Sequence, residues 1–203
     1  DIGKSNVKSS KNPGLFGREI KRVFPTVPIE TERRLSNFKI RDRFFTELFV
    51  LANFRNMKTE PTMKKLVEFH TVNKYLFMNY NQLIMKNMGN IVANHQHFST
   101  EEVYEKYEEK LRELLSEEVS LKKRINVLTH IYGYFKNEVA ADEKEYYFDL
   151  LDQYLNSQIP YSNVLFVLKG WAIRFKHDYL KKQTIFEPYP KDLIMVTDSG
   201  KEI

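Results

Sequence analysis

The sequence contains no cysteine, which removes disulfides, cysteine nucleophiles, thiolate metal sites and iron–sulfur ligation by this chain. Glycine and proline are sparse, seven of each in 203 residues, which excludes collagen-like repeats and Pro/Gly-rich disorder. The longest apolar runs, 48–52 and 164–168, are five residues. A membrane-spanning helix needs roughly 20, so no membrane partner is expected. No phosphate-binding loop, dinucleotide fingerprint, Gly-x-Ser-x-Gly elbow or zinc-protease motif occurs. The chain opens at Asp1 on polar residues without an apolar signal core. That reads as a cut or processed start, with the reducing cytosol as the expected compartment.

What is present is a globular composition: 42% hydrophobic and 29% charged residues, with 15 Phe and 12 Tyr. A chain of this length buries roughly 70% of its unfolded surface and needs neither disulfide nor structural metal. One domain, or one domain with a tail, is expected. The net charge of +5 is mild but unevenly spread. Residues 101–118 hold eight acids and three bases, and the remainder carries 29 bases against 19 acids. A basic body with one acidic helix suggests a polyanionic partner, against the alternative of an ordinary lysine-rich surface.

Hydrophobic periodicity predicts an all-α fold, a compact bundle of about six or seven helices behind an irregular N-terminal extension. Ser36-Asn37 caps a helix from about Lys39 to Arg55 with Phe44, Leu48 and Leu51 on one face. Pro61 opens the next helix in a first turn that tolerates it. Ser99 followed by Glu102 fits a capping box, with Glu102–Lys106 and Glu108–Arg112 spaced for pairing. Leu121, Ile125, Leu128, Tyr132 and Phe135 mark an amphipathic helix; Tyr147, Leu150, Leu151 and Tyr154 mark another. Pro160 opens the last long helix, through Val164, Leu168, Trp171 and Phe175.

Opposite the apolar face of the 121–135 helix, Lys122, Lys123, Asn126, His130, Gly133 and Tyr134 fall within about 120°. Cations, an amide, an imidazole, a phenol and a glycine suit phosphate and ribose contacts, with Tyr134 able to stack on a base. The alternative is a solvated face. His70 and Lys74, also four apart, are expected to line the same groove as His130, or else to be a partly buried histidine and a snorkelling lysine. Lys169, Arg174, Lys176, His177, Lys181 and Lys182 cluster at the last helix and its exit, for polyanion contact or plain solvation. His95 and His97 form a His-x-His near Glu101 and Glu102, a weak metal pattern without a third placed ligand. His130 and Glu187 are conceivable acid–base groups that no spacing pairs.

Several of these residues carry a family resemblance. Phe69-His70, Lys74-Tyr75-Leu76, Gly89, Asn126-Val127-Leu128-x-His130-Ile131-x-Gly133-Tyr134-Phe135, Ile159-Pro160, Gln183 and Glu187-Pro188-Tyr189-Pro190-x-x-Leu193 resemble the YbgA-like domain, over about Glu60 to Leu193. Upstream, Gly14-Leu15-Phe16, Phe24-Pro25-x-x-Pro28-Ile29-Glu30 and Arg34-Leu35 are similar to the end of a TudS-like (thiouracil desulfurase-like) domain and its junction, with Arg33 where a glycine is usual. The resemblance divides the chain into 1–59, the end of a TudS-like domain plus a connecting helix, and 60–203, a YbgA-like helical domain. It implies an RNA-binding, specifically tRNA-binding, module accessory to thiouridine desulfuration, with His70, Lys74, Asn126, His130 and Tyr134 as the matching motif positions expected to contact RNA. To these the polar face of the 121–135 helix and the basic cluster at the last helix add Lys122, Lys123, Arg174, Lys181 and Lys182. The 4Fe-4S cluster would belong to the TudS-like half, in cis or in trans, leaving no cofactor and no catalytic residue in this chain. A protein-docking module is the competing expectation, from the acidic helix and the apolar, proline-rich stretch Phe24 to Ile29. A third is an enzyme taking a small anionic substrate in a helical groove.

Overall fold

A computed structural model describes residues 15–24 and 27–194, so the N-terminal dozen residues expected as a linker lie outside the described part. In chain order the helices are α1 (Leu15–Val23), α2 (Glu32–Leu35), α3 (Phe38–Lys58), α4 (Met63–Tyr80), α5 (Gln82–Ala93), α6 (Thr100–Ser116), α7 (Leu121–Tyr132), α8 (Ala141–Leu155), α9 (Tyr161–Arg174) and α10 (Asp178–Lys181). Two 3₁₀ turns follow, Thr184–Phe186 and Lys191–Leu193. There is no strand among the described residues, and the fold is all-α with seven long helices, α3 to α9.

The local signals operate as their chemistry requires. Asn37 caps α3 by accepting from the Ile40 N–H, and Ser99 and Glu102 make both hydrogen bonds of the capping box on α6. Glu102 is thereby engaged, and its expected partner Lys106 lies over the Phe98 ring at 4.6 Å; Glu108–Arg112 does form. Pro61 stands outside α4, because Thr62 takes the cap and accepts from the Lys65 N–H. Asn81 is extended and caps α5 with its side-chain Oδ1 accepting from the Leu83 and Ile84 N–H groups, so the chain breaks there into two helices.

Packing is organised around α4. Its six residues Tyr75 to Tyr80 are all buried, the mark of a helix enclosed on every side. It packs against α3, α5, α6, α7 and the first 3₁₀ turn, while α9 joins α7, α8 and α10. Leu66, Phe77, Tyr107, Leu111, Leu128, Ile131 and Leu168 are sealed in one core. Burial of each is worth about 1.5–3 kcal/mol against conformational entropy. Helix α3 joins that core through Val50 and Phe54, with Thr46 also buried. Phe44, Leu48 and Leu51 are only partly buried, because Phe54 stacks on Tyr107 at 5.7 Å and 16° and so rotates α3. On α7 the buried side is Val127, Leu128 and Ile131, and Leu121 is exposed. Phe135 is buried, but beyond the helix end at Tyr132, on successive i→i+3 turns.

Candidate nucleic-acid interface

Helix α4 carries two of the expected contacts one turn apart, and their side chains meet different neighbours. The His70 ring lies between α5 and α6, with Nδ1 3.1 Å from the Tyr107 hydroxyl and its ring edge-on to Tyr107. A Cβ on Gly89 would stand 3.2 Å from His70 Nε2, so the glycine leaves room for the imidazole. Burial, helped by the nearby Lys74 charge, pushes the His70 pKa down to about 4. His70 is thus a neutral packing residue on the α5–α6 side. Lys74 makes no ion pair among the described residues and lies over the Tyr75 ring, 5.6 Å from its centroid.

Tyr75 is the centre of a phenol corner. Its hydroxyl donates to the Tyr134 hydroxyl at 3.1 Å, and the rings of Tyr134 and Tyr179 pack against it. His177 stands edge-on to Tyr134 at 5.6 Å, with Glu138 3.9 Å from its Nε2. Tyr134 is 37% exposed, so its phenol is open to contact from outside the fold. Burial raises the Tyr75 pKa, reinforced by the bond to Tyr134, and raises Tyr179 to about 12, so both phenols stay protonated donors near neutrality. Four chain segments meet here: α4, the turn after α7, the α9–α10 turn and α10.

The remaining expected residues divide. Lys122 and His130 are exposed on α7. Lys123 is folded back, its Nζ 2.7 Å from the Glu118 carbonyl and 3.2 Å from Glu117 Oε2, where Asn81 Nδ2 also donates. Asn126 Nδ2 donates to Gln82 Oε1 at 2.9 Å. These two residues fasten the start of α7 to the α4–α5 corner. Gly133 adopts right-handed helical geometry, and its missing side chain leaves space for the His130 carbonyl, 3.2 Å from where a Cβ would be. Arg174 pairs with Glu143, Lys181 with Asp178, and Lys169 with Glu187. Glu187 also holds Lys191 at 3.0 Å, and the lysine bonds keep its carboxyl below the usual range. Lys176 and Lys182 are exposed, with no ion pair among the described residues. His95 and His97 meet no third ligand: no group of three His, Cys, Asp or Glu able to hold a metal exists among the described residues.

Tyr75, Tyr179 and Gln183 complete the corner in space, and Tyr179 had no signal in sequence beyond lying between basic residues. Gln183 is 2% exposed, with its amide on the backbone of α4. The acidic α6 lies on the His70 side of α4, away from the phenols, and Glu108 there neutralises Lys58 and Arg112.

A helical bundle wrapped around one enclosed helix, with a phenol corner beside cations at the helix ends, is the class of protein these residues define. The chain belongs to the family described as protein of unknown function (DUF1722), whose model matches residues 74–190, from Lys74 through Pro190. It is similar to the uncharacterized protein YbgA of Escherichia coli (strain K12), 26% identical over 161 residues, which cover 78% of this chain and 95% of that relative. The YbgA-like resemblance in the sequence is therefore shown. No solved structure matches. No helix among the described residues is long and apolar enough to cross a membrane.

Proposed function

We propose that this chain is an RNA-binding helical module that holds tRNA for thiouridine desulfuration by a TudS-like iron–sulfur domain, in cis or in trans. The chain has no cysteine to ligate such a cluster, so no step of that chemistry is placed on its own residues. One observation carries the reading: Tyr134, 37% exposed, stands in a corner of three phenols beside Lys74, which makes no ion pair among the described residues. Phenol O–H groups and ammonium ions donate to phosphate oxygens and to the 2′-hydroxyl, and an exposed aromatic ring accepts a splayed base. Lys122, His130, Lys176 and Lys182 are exposed to extend the contact along a backbone, whereas Lys123, Asn126, Arg174 and Lys181 are occupied within the fold.

Fluorescence anisotropy with tRNA tests this. Affinity should fall steeply between about 50 and 200 mM salt, and Lys74→Ala with His130→Ala should reduce the salt slope by about 1–2. Absence of tRNA binding at low salt, or variants indistinguishable from the parent, defeats the proposal.

The docking reading is favoured by α1, where Leu15 and Phe16 are 77% and 80% exposed and Val23 and Phe24 are also exposed. None of them joins the core. A nuclease-resistant protein partner lost on Phe16→Asp would support docking, in addition to or in place of RNA.

A further inference from the structure

Between α4 and α10, next to the phenol corner, lies a groove of about 350 Å³ lined by Val67 and Tyr179, with Lys64, Glu68, Asp178 and Lys182 around them. Ligand pockets begin near 300 Å³, so the groove has room for one small ring system rather than a helix or peptide strand. Val67 is 46% exposed, an unusual amount of apolar surface on a helix whose C-terminal half is sealed. Tyr179 is half-buried, fixed edge-on by Tyr75 at 6.3 Å and tilted against Tyr134 at 6.1 Å. A flat apolar surface held this way is already ordered before any ligand arrives, which lowers the cost of stacking on it.

The two sides of the groove are tied together by Gln183, just past α10. Its Nε2 donates to the Thr71 carbonyl at 2.8 Å, and its Oε1 accepts from the Tyr75 N–H at 3.3 Å. Those backbone groups are four residues apart and would bond each other in an uninterrupted α-helix. The Thr184 hydroxyl adds a bond to Asn73 Oδ1 at 2.7 Å. The charges around the groove are mostly unspent. Lys181, outside it, pairs with Asp178 at 2.6 Å, while Lys64, Lys182 and Glu68 make no ion pair among the described residues.

We infer that this groove holds one unpaired nucleotide of the bound RNA, its base on Tyr179 and Val67 and its flanking phosphates on Lys64 and Lys182. The inference rests on the RNA-binding reading above. A duplex keeps its base faces covered, so only a single-stranded or splayed nucleotide can use an aromatic floor. Glu68 and Asp178 supply acceptors, which suit the donors of a base amino group or a ribose 2′-hydroxyl. A free mononucleotide offers the same chemistry, and the experiment separates the two sources.

The probes are a single-stranded oligouridine, the same strand paired with oligoadenosine, and uridine 5′-monophosphate, each with the whole chain. Val67→Trp fills the groove from an exposed position, and Lys64→Ala with Lys182→Ala removes its cations. Each should weaken oligouridine binding about tenfold, leave duplex binding unchanged for Val67→Trp, and keep the helical circular dichroism. Millimolar uridine 5′-monophosphate should compete with the strand. Oligouridine binding that survives Val67→Trp and the lysine pair, yet is lost with Lys74→Ala and His130→Ala, overturns the groove and spares the RNA reading. Failure of every RNA at low salt overturns both. Mononucleotide binding without strand binding overturns RNA as the source.

Discussion

One helical turn separates His70 from Lys74 on α4, yet the imidazole packs, partly buried, against α5 and α6 while the ammonium lies over Tyr75, toward the turn after α7 and toward α10. Their spacing gives them a shared face on a helical wheel. What separates them is what the neighbours offer. Gly89 leaves space for a ring, and Tyr107 offers a hydroxyl in an apolar surround. Around Lys74 there are phenols instead, and no carboxylate among the described residues pairs with it. The first region is a stability device whose polar atom is satisfied internally. The second leaves an ammonium without an ion pair among the described residues, beside a phenol that is 37% exposed. Only the Lys74 charge, which helps to depress the His70 pKa, links them.

If the His70 side is purely structural, breaking it should change stability and nothing else. The largest effect should come from Phe54→Ala, since Phe54 stacks on Tyr107 and is 3% exposed. A loss of about 3–5 kcal/mol is expected by urea denaturation, with RNA affinity of the remaining folded protein unchanged. Next comes the pH dependence of His70. The folded chain holds its pKa at about 4 against an ordinary value of 6.5. As the pH falls through that window the unfolded chain takes up the proton first, so stability present above pH 6.5 is lost, by up to about 3 kcal/mol near pH 4. His70→Gln should flatten that part of the stability–pH curve. An unchanged slope would mean the imidazole is not desolvated by its packing on Tyr107 and Gly89.

The same contrast explains what could be read from sequence. Caps at Asn37 and Ser99 and the inward faces of α8 and α9 are local, set by hydrogen bonds within one turn or by a single apolar stripe. The buried stripe of α3 was not legible, because Phe44, Phe45, Leu48, Phe49, Val50 and Leu51 surround the helix and contact with α4 and α6 selects among them. Polar residues on one face of α7 looked equivalent. The structure separates Lys123 and Asn126, spent on Glu117 and Gln82, from exposed Lys122 and His130. Tyr179 and Gln183 reach Tyr75 from about a hundred residues away, which no spacing rule reports.

Two smaller effects sharpen the comparison from the other side. Lys74→Ala should weaken tRNA binding about tenfold while shifting the unfolding midpoint little, because an exposed or half-exposed cation without a partner contributes within about 0.5 kcal/mol. Lys123→Ala should do the reverse on a smaller scale. The Lys123 ammonium bonds the Glu118 carbonyl and, with Asn81, the Glu117 carboxylate, so its removal costs stability rather than affinity. Both partners are partly exposed, which keeps the loss small. Glu117 is held below its usual pKa first by the Lys123 bond, then by Asn81, so that contribution fades as the pH falls through the carboxylate range and should be absent in the variant. Measured side by side at neutral pH, the two lysines should therefore separate along different axes, Lys74 in the anisotropy titration and Lys123 in the urea curve. If Lys123→Ala instead weakens tRNA binding as much as Lys74→Ala, the ion pair with Glu117 opens to let the cation reach RNA, and the division between fold and contact residues on α7 has to be redrawn.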